Sequence, residues 1–270
     1  MLRKTRLYIS RYAYYLRSIF TILLGMSPRA KIIASFLGLE KAIITIKLKG
    51  GLRFNVRSRM DIWIAKETCL DRDYEKHGAS LKPGWTIVDI GGGIGDFAIL
   101  AAQTDGSTIH VYEPFEGSRQ LLRENLKLNS VNNVNCYPEA VGADFGLGRM
   151  DTSPPYPVMY HTVGDTAQTA EEVATIPLSE VIRRSGKDVI DFMKVDCEGA
   201  EYDVFFNADD ASLASINRIC MEYHNHLTEY RHQDLRKFLR AKGFTVTTAG
   251  NPAHETIGFL YATNNRINSH

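Results

Sequence analysis

A short β-branched run that breaks into four glycines and resumes as an apolar helix constrains this chain more than any other feature. Residues 86–102 read TIVDIGGGIGDFAILAA. Thr86 to Ile90 suit a buried strand, Gly91, Gly92, Gly93 and Gly95 a tight turn, and the apolar run from Phe97 a packed helix. In an open parallel α/β sheet such a turn lies at the carboxyl end of a strand. There the missing Cβ atoms let a nucleotide-sized ligand touch the backbone, and the helix N-terminus offers free amides. A dinucleotide fingerprint, G-x-G-x-x-G, is not met, because the third position counted from Gly91 and Gly93 is Asp96. The next β-branched run, residues 107–112, ends in Glu113, a second acid at βαβ spacing.

The chain has 270 residues, enough for one α/β domain of ordinary size with extensions. Its net charge of +1 hides an asymmetry. Thirteen of the Lys and Arg residues but a single acid, Glu40, precede residue 60, which leaves a basic N-terminal piece before an acidic body. Cys69, Cys136, Cys197 and Cys220 form no C-x-x-C pair, which argues against a zinc site or a disulfide framework and suits a reducing cytoplasm.

Three segments are expected: a basic, apolar helical extension over residues 1–40, a hairpin and helix over 41–80 that wall the ligand site, and the α/β domain that carries the glycine turn over 81–270. In the first, tyrosines and aliphatic residues alternate with arginines at helical spacing. That suits a helix packed on the domain, pairing with another subunit, or lying at a membrane surface. No run approaches the ~20 apolar residues a bilayer span requires. Residues 41–57 alternate around Gly50-Gly51 as a hairpin, and 117–129 form an amphipathic helix. Residues 133–137, 188–195 and 216–223 read as further strands, 227–242 as a helix, and 244–248 with 256–262 as a closing strand pair. Residues 144–175, rich in Gly, Pro and Thr, are expected to form a hairpin or irregular excursion over the site.

The G-x-G-x-G spacing after Asp89 resembles motif I of the class I S-adenosylmethionine (SAM) methyltransferases. Three blocks, VDIGGGIGDFAI, VYEPFEGSRQLLRENLKLN and DFMKVDCEGAEYDVF, resemble the FkbM family within that class. The last is the most specific, reading Lys194-Val195-Asp196-Cys197-Glu198-Gly199-Ala200-Glu201. The resemblance spans about residues 80–225. It implies a seven-stranded Rossmann-like α/β sheet with helices on both faces, and SAM bound by Asp89, Gly91, Gly93 and Gly95, with Glu113 on the ribose hydroxyls and Glu139 near the adenine. It also implies O-methylation of a hydroxyl on a sugar, glycan or secondary metabolite. The basic extension and the 144–175 excursion fall outside it.

Methyl transfer to an alcohol needs alignment and a nearby base. Asp196 and Glu222 end neighbouring strands, and with Lys194, Glu198 and His224 they form the expected catalytic constellation. Crowded carboxylates raise one another's pKa, and His224 starts near neutrality, so either type can serve as base. An acid that opens a helix, as Asp196 does here, also suits an N-cap. The same oxygens can hold Mg²⁺, with Asp196 and Glu222 as ligands. Two other readings compete: an RNA methyltransferase that grips its substrate with the basic N-terminus, and a non-catalytic SAM-binding scaffold. The acidic body and the absence of an N-P-P-Y-type sequence after the fourth strand disfavour nucleic acid.

Overall fold

The computed structural model describes residues 2–163 and 170–267. Its centre is a sheet of seven strands: β1 (Thr86–Ile90), β2 (Thr108–Tyr112), β3 (Val134–Tyr137), β4 (Phe192–Val195), β5 (Arg218–His224), β6 (Phe244–Gly250) and β7 (Ile257–Asn264). They lie side by side in the order β3-β2-β1-β4-β5-β7-β6. The five from β3 to β5 pair in parallel, and β7 pairs antiparallel with both β5 and β6. The expected seven-stranded sheet, with its closing antiparallel pair, is therefore present. Order along the sheet reverses beside β1, so the crevice where an open α/β sheet takes its ligand opens at the carboxyl ends of β1 and β4.

Both faces of the sheet are covered, which is why β1 is buried at every position. Ile87, Ile109 and Phe192 face one core, formed with α5 (Asp96–Ala101) and α6 (Glu116–Leu128). The same core takes in Ile22 of α1 (Leu2–Gly25), Ile32 of α2 (Arg29–Phe36) and Ile62 of α3 (Arg59–Cys69). Val88, Met193 and Ile219 face the other core. There they meet α7 (Leu178–Ser185), α8 (Glu201–Phe206), α9 (Asp210–Ala214) and α10 (His232–Ala241), while the short α4 (Asp73–His77) joins the first core through Tyr74. The hairpin expected at 41–57 forms from Ile44–Leu48 and Arg53–Val56, with Met26–Ser27 adding a third strand.

Two stretches differ from expectation. The helix read over 227–242 begins only at His232, because Asp234 accepts the Arg231 amide at 3.0 Å and sets the N-terminus there. The 144–175 excursion is more regular than its composition suggests: Gly146–Asp151 pairs antiparallel with Ala170–Pro177, inside a four-stranded sheet completed by Ala140–Gly142 and His161–Val163. Residues 164–169 lie outside the described residues.

Gly91 shows how little freedom the crevice has. Its φ is +79°, and a Cβ added there would lie 1.8 Å from the Asp196 carbonyl oxygen at the end of β4. Gly186 has a similar φ of +65° but open space around it. Gly186→Ala should therefore cost about 1 kcal/mol, from backbone conformation alone. Gly91→Ala should cost on the order of 3 kcal/mol or more and lower Tm by roughly 6–12 °C, since a backbone oxygen must also move. Thermal melts of the two variants check this, and equal shifts would contradict it.

Candidate active site

The carboxyl ends of β1, β2, β4 and β5 open into a cavity of about 620 Å³. Gly91 and Gly92 donate to the Tyr112 carbonyl at 3.0 and 3.1 Å, so the glycine turn is fastened to the end of β2. On its other side lies β4. Lys194 and Asp89 are register partners on adjacent strands. The Lys194 ammonium stands 3.0 Å from the Asp89 carboxylate and donates to the Gly91 carbonyl at 2.6 Å. Burial acts to lower the Lys194 pKa, but the charges of Asp89, Asp196 and Asp96 outweigh it and raise the value. Burial pushes Asp89 up to about 6 even with Lys194 beside it.

Gly91, Gly93, Glu113, Lys194, Asp196, Glu198, Glu222 and His224 all border the cavity, as the sequence led us to expect. Three other expected residues do not. Asp89 is fully buried behind the turn, and Gly95 packs beneath it against Leu122. The Glu139 carboxylate is held by the Arg184 guanidinium at 3.0 and 3.1 Å, which lowers its pKa. Lys194 reaches the cavity with its ammonium already engaged, so it positions the turn.

Glu113 accepts from the amides of Gly93 at 2.7 Å and Phe115 at 2.9 Å. Despite these bonds, burial pushes its carboxyl up to about 7. A polar ligand that donated to this carboxylate would restore the stabilisation that burial removes. Asp96, not singled out by spacing, also borders the cavity, and burial raises its pKa.

The opposite wall holds the acids of β4 and β5. Asp196 does not cap a helix, since α8 starts only at Glu201; its carboxylate instead accepts the Tyr74 hydroxyl at 2.7 Å. Glu198 sits at φ +50°, a left-handed conformation costly for a side-chain-bearing residue, and Gly199 follows at φ +97° against Leu227. This kink turns Glu198 toward His224, whose Nε2 lies 3.5 Å from Glu198 and 4.0 Å from Asp196. The other ring nitrogen, Nδ1, is 2.8 Å from the fully buried Glu201. Burial acts to lower the His224 pKa, but Glu198, Glu201 and Asp196 together raise it well above its ordinary value. Burial pushes Glu198 up to about 8, and Glu222 is driven strongly upward by burial and by Asp196. Among the described residues, Asp196, Glu198 and His224 bring ligand atoms within 4.8 Å of one another, as a metal site requires; Glu222 is not part of that set.

The individual side chains of the remaining wall were not singled out from the sequence. Tyr14, Tyr15 and Phe36 from the N-terminal segment, Trp63 from α3 and Tyr74 from α4 border the cavity, and Met150 and Tyr160 close it from the excursion. Nothing in their local spacing marks them, because tertiary packing brings separate segments of the chain to the sheet edge.

Residues 89–246 match the model of the methyltransferase FkbM domain. The chain is 25% identical over 246 residues to the 31-O-demethyl-FK506 methyltransferase FkbM of Streptomyces tacrolimicus, covering 79% of this chain and 94% of that protein. It is 24% identical over 220 residues to methyltransferase 1 of Beauveria bassiana, covering 71% and 84%. A solved structure of methyltransferase FkbM from Methylobacillus flagellatus superposes with a TM-score of 0.50 at 14% identity, covering 76% of this chain and 54% of that one, a likeness of fold. With that domain matched over more than half of its length, the chain belongs to the FkbM family of SAM-dependent methyltransferases.

Proposed function

We propose that this methyltransferase acts on a hydroxyl of a compact acceptor such as a sugar or secondary metabolite, with His224 as the base. The observation that carries the reading is the Glu201–His224 pair at the cavity: Glu201 bonds Nδ1 at 2.8 Å, and Nε2 stands 3.5 Å from Glu198. A buried carboxylate on one ring nitrogen fixes the imidazole's tautomer and direction, and stabilises the imidazolium formed when the other nitrogen takes a proton. An alcohol needs such a base because its oxygen attacks better as its proton leaves. The relative from Streptomyces, named for methylation at an oxygen, supports the same choice.

The residues present fit SAM. When bound, the cofactor supplies an electrophilic methyl group on a sulfonium. Glu113 offers a carboxylate to the ribose hydroxyls, and Gly91 and Gly93 leave the backbone bare beside it. Glu67, Asp96, Asp196, Glu198 and Glu222 surround the cavity with potential negative charge, which favours a cation and disfavours a phosphodiester chain. That electrostatic character weighs against an RNA acceptor. An oriented base weighs against a purely binding role. The volume also bears on the acceptor, since about 620 Å³ must hold cofactor and acceptor together. A single sugar ring or the tip of a larger molecule fits that space.

Glu113→Ala should weaken SAM binding by about 1.5–3 kcal/mol, the scale of losing charge-assisted hydrogen bonds. Because the wild-type carboxyl is raised to about 7, it gains a proton as pH falls through that value. Wild-type affinity should thus drop on the acid side and level off above it, and Glu113→Gln should lack this dependence. Calorimetry from pH 6 to 9 reads both effects, and flat wild-type affinity would remove Glu113 from the ribose. For the base, His224→Ala should lower kcat by about 10²- to 10⁴-fold with SAM affinity nearly unchanged. The raised imidazole pKa means that the unprotonated base accumulates only on the alkaline side, so wild-type kcat should climb above neutral pH. Near wild-type turnover by His224→Ala on a confirmed acceptor would place the base elsewhere.

A further inference from the structure

The N-terminal helix has two faces with different fates. At about 100° per residue, Tyr14, Tyr15, Ser18 and Ile22 fall on one side of α1, and Tyr12, Leu16, Phe20 and Leu24 on the other. The first side is fixed to the domain. Ser18 and Ile22 are buried, and Lys66 of α3 donates to the Ser18 hydroxyl at 2.7 Å. Tyr14 donates to Glu67, which also accepts the Trp63 indole at 2.8 Å. The second side has no partner of this kind: Leu16 is 58% exposed, Phe20 63% and Leu24 73%. Of the thirteen large apolar side chains exposed among the described residues, nine lie between Tyr12 and Ile43.

We infer that this outward face docks on an anionic lipid surface, with α1 lying in the plane of the interface. Among the described residues no helix is long and apolar enough to cross a membrane, so at a lipid surface the apolar stripe would lie along it. Charge selects the occupant. Exposed Arg17, Arg29 and Lys31 accompany the stripe, while Arg11 lies over the Tyr15 ring on the inner side, and Glu40 is the one acid among the first 59 residues. A two-fold contact between copies of this chain would set these cations against their own kind. Lipid phosphates oppose them with the right sign, while the aliphatic and aromatic side chains enter the region below the headgroups. Since Tyr14 and Tyr15 of the same helix border the active-site cavity, a docked enzyme would hold that cavity close to the bilayer surface.

The test uses the full-length protein in co-sedimentation with vesicles of phosphatidylcholine alone and with 30% phosphatidylglycerol (about a third anionic lipid, to give the surface charge that draws basic segments). Binding should require the anionic lipid, weaken with added salt, and fall at least tenfold in Leu16→Glu/Phe20→Glu. Those positions are exposed, so circular dichroism should show the fold intact. A second variant, Arg17→Glu/Lys31→Glu, should weaken binding without altering the apolar face. Light scattering on the same samples separates the rival occupant: a dimer abolished by Leu16→Glu/Phe20→Glu, with no vesicle binding by wild type, would overturn the inference in favour of self-association. Failure to bind either vesicle would overturn it as well. SAM affinity, measured in parallel without lipid, reports on the methyltransferase reading separately.

Discussion

The Lys194 ammonium, held between the Asp89 carboxylate and the Gly91 carbonyl, is the contact on which the site's geometry depends. It joins the two central strands where their order along the sheet reverses, and it does so in a nearly dry setting, with Asp89 fully buried and Lys194 only 4% exposed. A buried ion pair adds little net stability over apolar packing, but removing one partner strands the other charge and is costly. Its role here is therefore better understood as geometry than as energy. The ammonium fixes the carbonyl of the first turn residue, the turn's amides bond to the end of β2, and Glu113 is thereby held against the Gly93 amide. Neither Asp89 nor Lys194 needs to touch cofactor or acceptor for both to matter.

That distinction explains what was legible in the sequence. Strand β1, the glycine turn and the acid at the end of β2 form a local pattern, and local patterns are set by backbone conformation and sheet geometry. Glu113 and Gly93 accordingly border the cavity as expected, whereas Asp89, chosen by the same pattern, proves to act from behind it. Asp196 was legible as a site residue, but its suitability as a helix cap was misleading. The kink at Glu198 and Gly199 delays α8 to Glu201 and leaves the Asp196 carboxylate to Tyr74. Glu139 sits where adenine was expected to be met, but a cation 45 positions later holds its carboxylate. Such pairings depend on tertiary placement and leave no trace in spacing. The regular sheet in the 144–175 excursion was hidden for a related reason: Gly and Pro mark turns, and the strands between them are too exposed to show a clear period.

The acidic wall has an electrostatic logic. Asp196, Glu198, Glu201, Glu222 and His224 gather around one end of the cavity, where burial pushes Glu198 and Glu222, and the neighbouring carboxylates push His224, toward their protonated forms. Protons thus relieve charge that the fold has crowded together. A cationic ligand in the same cavity would offset that charge directly, so its arrival and the loss of a proton from the cluster are thermodynamically linked. The wall is then more fully deprotonated with the cation present than without it, each of its groups having a lower affinity for protons.

The extension at the N-terminus brings two tasks onto one helix. Its inner side closes the cavity with Tyr14 and Tyr15 and is secured by polar contacts on two successive turns, Tyr14 to Glu67 and Ser18 to Lys66. Hydrogen bonds of that sort are directional, so they fix the helix's rotation about its own axis in a way that apolar packing alone would not. Fixing the rotation fixes which residues face outward. The exposure of Leu16, Phe20 and Leu24 therefore follows from the same contacts that build the wall of the active site, and changes to Lys66 or Glu67 would disturb cavity and outer surface together.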